Sequence, residues 1–209
     1  PIYYQPHGSL YWVQDAARRW ISVNESSCRR RIQTCGFSRK SQNDEELSEV
    51  DRCLLDLQDQ QNIAYAGPLA GHQAGFYRMH ARGVLVTDSP AIIQPVAGDW
   101  PLLHGILQGL LVDPEHGDQR PYLYGWLKLA LRTYRTGQWS PGQVVAIAGP
   151  VGCGKSLLQN IVTELFGGRS AKPYLYMTGR TAFNADLFGA EHLIVEDEAE
   201  SVDIRARRH

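Results

Sequence analysis

Three glycines, a lysine and a serine fall within one short stretch, Gly149-Pro150-Val151-Gly152-Cys153-Gly154-Lys155-Ser156, spaced as G-x-x-x-x-G-K-[ST] at every fixed position. Such residues do one kind of chemistry together. A polyphosphate must be wrapped by several main-chain N–H groups, and glycine lets the backbone curve into a concave nest where a Cβ would clash. The lysine can extend to the terminal phosphate oxygens, and the hydroxyl of the next residue can hold a divalent cation. A helix starting at the loop adds its positive end to the same spot. The expectation is a nucleotide-binding loop made of Gly149, Pro150, Val151, Gly152, Cys153, Gly154, Lys155, Ser156 and Leu157. ATP is the expected nucleotide and Mg²⁺ its ion, with Lys155 the catalytic cation and Ser156 a metal ligand. Cys153 reads as a small residue tolerated in the loop; the alternative is a redox-sensitive thiol beside the phosphates.

Nucleotide chemistry also needs a carboxylate at the tip of a second strand, to hold the ion and polarise water. The stretch EHLIVEDEAES offers it, with Leu193, Ile194 and Val195 followed at once by Glu196, Asp197 and Glu198. Consecutive acids right after a buried strand are costly without a cation to offset them. The working pair is Glu196 with Asp197, or Asp197 with Glu198. Asp197 belongs to both and is the expected metal-side residue.

These side chains need elements to position them. QVVAIAG, ahead of the loop, reads as a buried strand, and KSLLQNIVTELFGG reads as a helix with Leu157, Leu158, Ile161, Val162 and Leu165 apolar, closed by glycines. The expected fold class is α/β: an incomplete P-loop NTPase core, a parallel sheet with flanking helices, preceded by a small α+β domain. Residues 1–97 would form that α+β region, 98–140 a helical linker and 141–209 the core, which stops after the acidic (Walker B) strand. In the first region LYWVQDAARRWISV predicts a β-hairpin with Trp12 and Trp20 as a small aromatic core. Leu47, Val50, Leu54 and Leu57 predict an amphipathic helix, and GFYRM and GVLVT predict short strands. PLLHGILQGLL and PYLYGWLKLALRTYRTG predict two more helices, the second apolar along Leu123, Trp126, Leu127, Ala130 and Leu131.

Composition narrows the partners. The chain has 209 residues, 43% of them hydrophobic, and a net charge of -1, so no global basic field announces nucleic acid and any such contact must be local. The acidic run from Asp44 to Glu49 and the cluster of Arg205, Arg207 and Arg208 read as solvated surface, the arginines alternatively as trans-acting or DNA-contacting groups. No apolar run reaches the roughly 20 residues of a membrane span, so the chain reads as soluble and cytoplasmic with no membrane partner. Four cysteines without a C-x-x-C pair read as free thiols in a reducing compartment. A first residue that is Pro, and a last segment SVDIRARRH with no terminating signal, suggest a fragment of a longer polypeptide.

The run from GDWPLLHGILQGLL through YGWLKLALRTYRTGQWSPGQVVAIAGPVGCGKSLLQNIVTELFGG to FNADLFGAEHLIVEDEA resembles the ATPase portion of viral and phage-type primase-helicases, the superfamily 3 helicases of the poxvirus and phage replication type. The resemblance extends from about Gly83 to Ala199 and is strongest from Pro141 onward. It implies ATP hydrolysis by a homo-oligomeric ring that translocates on single-stranded DNA during replication, in a prokaryotic, phage or virus-related setting. Lys155 and Ser156 would take the phosphate and magnesium roles, and Glu196 and Asp197 the acidic-strand role. The family's polar sensor strand and arginine finger are not identifiable, nor is a primase carboxylate constellation in residues 1–95. Lys172, Tyr174 and Arg180, in AKPYLYMTGR, form a mixed basic and aromatic stretch that could lie towards single-stranded nucleic acid; Tyr174 and Tyr176, at alternate positions, fit one face of a strand equally well. Two other function classes stay open, a small-molecule kinase and a nucleotide-gated interaction module without motor activity.

Overall fold

The computed structural model describes residues 1–41, 46–136, 142 and 144–196. Asp197, Glu198, Arg205, Arg207 and Arg208 lie outside the described residues, as does Asp44 of the acidic run. The chain divides into two units, one of residues 1–69 and 73–89, the other of residues 70–72 and from 90 onward.

In the first unit β1 (Ile2–Gln5), β2 (Leu10–Gln14) and β3 (Trp20–Val23) form an antiparallel meander. Its register aligns Tyr4 with Tyr11 and Val23, and Tyr3 with Trp12 and Ser22. Because strand side chains alternate, Tyr11 and Val13 share one face and are buried, while Trp12 and Trp20 fall on the other and stay partly exposed. The hairpin forms as expected, but the tryptophans are not its core. Helices cover the Tyr11 face instead: α1 (Glu25–Thr34) and α2 (Glu49–Gln60) bring Cys28, Ile32, Val50 and Leu54 onto Tyr11. Burying each large aliphatic side chain there contributes about 1.5–3 kcal/mol.

Helix α1 starts where Asn24 accepts the Ser27 N–H at 2.9 Å, and α2 where Ser48 accepts the Asp51 N–H at 3.2 Å. Ser48 thereby cuts Leu47 off from the helix, and Leu47 is left exposed. Arg29 of α1 pairs with Asp51 of α2, which holds that carboxyl below its usual range, after the Ser48 hydroxyl as the larger cause. The Tyr11 hydroxyl accepts from Gln58 Nε2 at 2.7 Å.

A second sheet follows, with β4 (Tyr65–Gly67) parallel to β6 (Arg82–Val86) and β5 (Gly75–Met79) antiparallel to it. The β5–β6 turn is His80-Ala81, with φ of 47° and 63°. Positive φ at both positions matches the twist of a two-residue hairpin. Phe76 of β5 stacks on Tyr3 of β1, centroids 4.9 Å apart and planes 2° from parallel.

The second unit is built on helices. α3 (Pro101–Leu111), the two-stranded ribbon of β7 (Val112–Asp113) and β8 (Gly117–Asp118), and α4 (Arg120–Thr136) precede α5 (Lys155–Leu165). Leu107, Leu123, Leu158, Val162 and Phe166 form the core, flanked by Trp126, Leu127, Ala130 and Leu131 as the apolar stripe of α4 requires. Beyond α5 come β9 (Ser170–Ala171), the short helices α6 (Tyr174–Met177) and α7 (Ala185–Phe188), and β10 (His192–Leu193). β9 and β10 are parallel, and the Ile194 N–H extends the ladder to Ala171 O at 2.9 Å.

The described residues form a mixed α/β arrangement of helices and small sheets. Residues 144–149 are not in a strand, contrary to expectation. A strand exists through its ladder, and among the described residues nothing pairs with this segment; Val144 is 94% exposed, and Ile147 alone of it packs on the helical core. The strand alternative for Tyr174 and Tyr176 also fails, since both lie in α6, which Pro173 opens and Thr178 closes by donating to Tyr174 O at 2.8 Å. No helix among the described residues is long and apolar enough to cross a membrane.

Candidate functional site

The glycine loop runs directly into α5. Gly154 is the N-cap, in the left-handed region at φ 101°, and Gly152 is there too at 81°; a side chain at either position would cost about 1–2 kcal/mol. The first helical bond is Leu158 N–H to Gly154 O, 3.0 Å. The amides of Lys155, Ser156 and Leu157 therefore lack intrahelical acceptors and sit at the positive end of the helix.

Lys155, the first residue of α5, folds back over the loop. Its ammonium donates to Gly149 O at 2.8 Å and Pro150 O at 2.7 Å, with Cys153 Sγ 3.6 Å away. The cation thus occupies the mouth of the loop that its own backbone shapes. Val151, Gly152, Cys153, Ser156 and Leu157 are exposed, and among the described residues the Ser156 hydroxyl makes no hydrogen bond. An anion arriving here would meet the Lys155 ammonium, the first amides of α5 and the Ser156 hydroxyl at one place.

On the acidic side the structure describes one carboxylate of the expected set. Glu196 lies just beyond β10 and pairs with Lys172, just beyond β9. The chain leaves both parallel strands on the same side, which brings Lys172, next after β9, to Glu196, the third residue past β10.

Solved structures give a partial likeness. The A form apo structure of the NrS-1 C terminal region matches with a TM-score of 0.45 and 14% identity, over 90% of this chain and 41% of that one. An apo structure of the same region, 305–718, matches with 0.48 and 14% over 90% and 40%, and its A form with 0.47 and 12% over 90% and 42%. The chain spans about two fifths of the chains it matches. No family model and no curated protein matches the sequence.

Behind β10 lies a polar cluster that sequence spacing does not disclose. Arg169 forks onto Glu191, donating from Nε at 2.8 Å, and the Glu191 side chain is only 4% exposed. Glu191 also accepts from the Gly71 N–H at 3.1 Å, while the Ala70 N–H donates to Phe188 O at 2.7 Å. His192 Nδ1 is 2.8 Å from the Thr163 hydroxyl of α5, and burial holds this imidazole below its usual pKa. The Tyr134 hydroxyl is buried without a hydrogen-bond partner among the described residues. Burial, then the Glu191 charge, push it up to about 12. The available signal was a Thr and a His placed inside otherwise apolar patterns, where polar residues need partners.

Proposed function

We propose that this chain binds ATP with Mg²⁺ at the Gly149–Leu157 loop and hydrolyses it, as the motor part of a replicative helicase of the primase-helicase kind. The observation that carries the reading is the Lys155 ammonium seated on Gly149 O and Pro150 O at the start of α5. The donor set fits a polyphosphate. Lys155 exchanges two neutral carbonyls for anionic oxygens, a stronger class of hydrogen bond, while the first amides of α5 and the bent backbone at Gly152 and Gly154 orient the phosphates.

Ser156 would hold the metal ion together with Asp197, which lies outside the described residues. Mg²⁺ supplies charge neutralisation between the phosphate oxygens when bound. Glu196 would join the acidic pair by letting go of Lys172. Single-stranded DNA as track and a ring of identical subunits belong to the same proposal, and rest on the resemblance of the loop, the preceding helices and the acidic strand.

The test is equilibrium binding of a fluorescent ATP analogue to the full chain in Mg²⁺. Lys155→Ala is expected to weaken it roughly 10- to 150-fold, as loss of hydrogen bonds to a charged group does. Unchanged affinity in that variant ends the reading. Phosphate release stimulated by single-stranded DNA supports the motor; phosphorylation of an added nucleoside replaces it with a kinase.

A further inference from the structure

We propose that the first unit holds a second ligand site, a cleft for a nucleoside phosphate, either free or as one unit of a single strand. Its base lies against Phe76 and its phosphate is held by Arg78, on the same face of β5, with Arg82, opposite Met79 at the hairpin end, adding its charge at the rim. The cleft measures about 740 Å³, within the range of sites that bury small ligands. Its walls are Pro6-His7 after β1, the segment from Asp59 at the end of α2 to Ala64, and the β5–β6 hairpin.

The charges favour an anion on the hairpin side. Arg19, Arg29 and Arg52 of the same unit each pair with a carboxylate. Arg78 and Arg82 line the cleft, are exposed, and have no ion pair or hydrogen bond among the described residues. A guanidinium presents a planar fork that suits phosphate. Asp59 also lines the cleft and can accept from an amino group or a sugar hydroxyl.

The ring of Phe76 favours an aromatic ligand. It lines the cleft, remains 41% exposed, and is fixed in plane by Tyr3 behind it. Gly83 keeps that wall bare: a Cβ there would come within 2.9 Å of Asn62 O and 3.0 Å of Phe76 Cε2. Gln60, Gln61 and Asn62 line the same cleft and carry side-chain amides. Each offers the paired donor and acceptor that a base edge requires.

The test uses the full chain carrying Lys155→Ala, so that failure here is separable from failure at the glycine loop. The probes are dAMP, a labelled dT oligonucleotide and inorganic phosphate. Arg78→Ala and Arg82→Ala, both on exposed positions, are expected to weaken nucleotide binding about tenfold or more each. Phe76→Leu is expected to weaken nucleotide severalfold while leaving phosphate unaffected. Binding of dAMP identifies a free nucleotide as the ligand, and binding of the oligonucleotide alone identifies a strand; both support the site. No binding of either, or binding indifferent to the double arginine substitution, overturns it. Phosphate binding as tightly as dAMP, with Phe76→Leu silent, overturns the nucleotide assignment.

Discussion

The two units keep their cores in different ways. In the first, three strands of four or five residues pair in register and two capped helices close over Tyr11, which is 1% exposed. In the second, helices carry the core, the parallel ladder is two residues long, and the segment leading into the glycine loop has no ladder among the described residues. The lesson concerns what a sheet needs. The hairpin pairs of a meander join strands a few residues apart, and only the outer edge of β1 reaches farther, through Tyr4 to Gln61 and Ile63, whereas a parallel strand depends on partners far along the chain.

The widest difference to look for is in amide hydrogen exchange. Amides of β2, held from both sides by β1 and β3, should be protected by orders of magnitude. Those of Val144 to Ala148, with no backbone acceptor among the described residues, should exchange almost as an open peptide. Comparable protection in both segments would erase the distinction.

Core truncation sharpens it next. Tyr11→Ala should cost about 3–5 kcal/mol, since the site is closed and Gln58 Nε2 loses its acceptor. Leu158→Ala should fall near 2 kcal/mol, the low end for a buried leucine. Leu158 borders an apolar cleft of about 240 Å³ lined also by Trp100, Leu103, Leu107 and Leu127, so neighbours can move into the vacated space. Denaturant unfolding of the two variants reads this out, and a larger loss for Leu158→Ala contradicts it.

Legibility followed locality. Val50 and Leu54, or Leu123 and Trp126, announce their helices by spacing alone, and the structure uses those faces. Helix α1 escaped because its only buried residues are Cys28 and Ile32 among arginines and serines, too few for a periodic signal. The tryptophans misled because size suggests burial while strand parity decides it, and parity was set by where α1 and α2 settle. At the candidate site the glycine spacing announced a bend ahead of a helix, and the structure has one at Gly152 and Gly154 before α5. The Lys172–Glu196 pair was not legible, because it joins residues 24 apart through strand adjacency, as the Arg169–Glu191 fork joins residues 22 apart.

The smallest effect is a pH dependence in the second unit. Burial holds His192 below the ordinary imidazole pKa, and its Nδ1 is engaged with Thr163, whose hydroxyl is also 3.1 Å from Gln159 O. An unfolded chain binds the imidazole proton as pH falls through 6.5, while the folded chain resists it to a lower pH. Stability from this group is therefore complete above about pH 6.5, declines as the solution is acidified, and levels off below the folded-state pKa. His192→Gln removes the titration but keeps a hydrogen-bonding side chain near Thr163. The difference between the wild-type and variant unfolding curves should be constant above neutrality and shift against the wild type between neutrality and pH 5. Subtraction cancels the other six of the seven histidines, so parallel curves across that window would mean that the folded state protonates His192 as readily as the unfolded chain does.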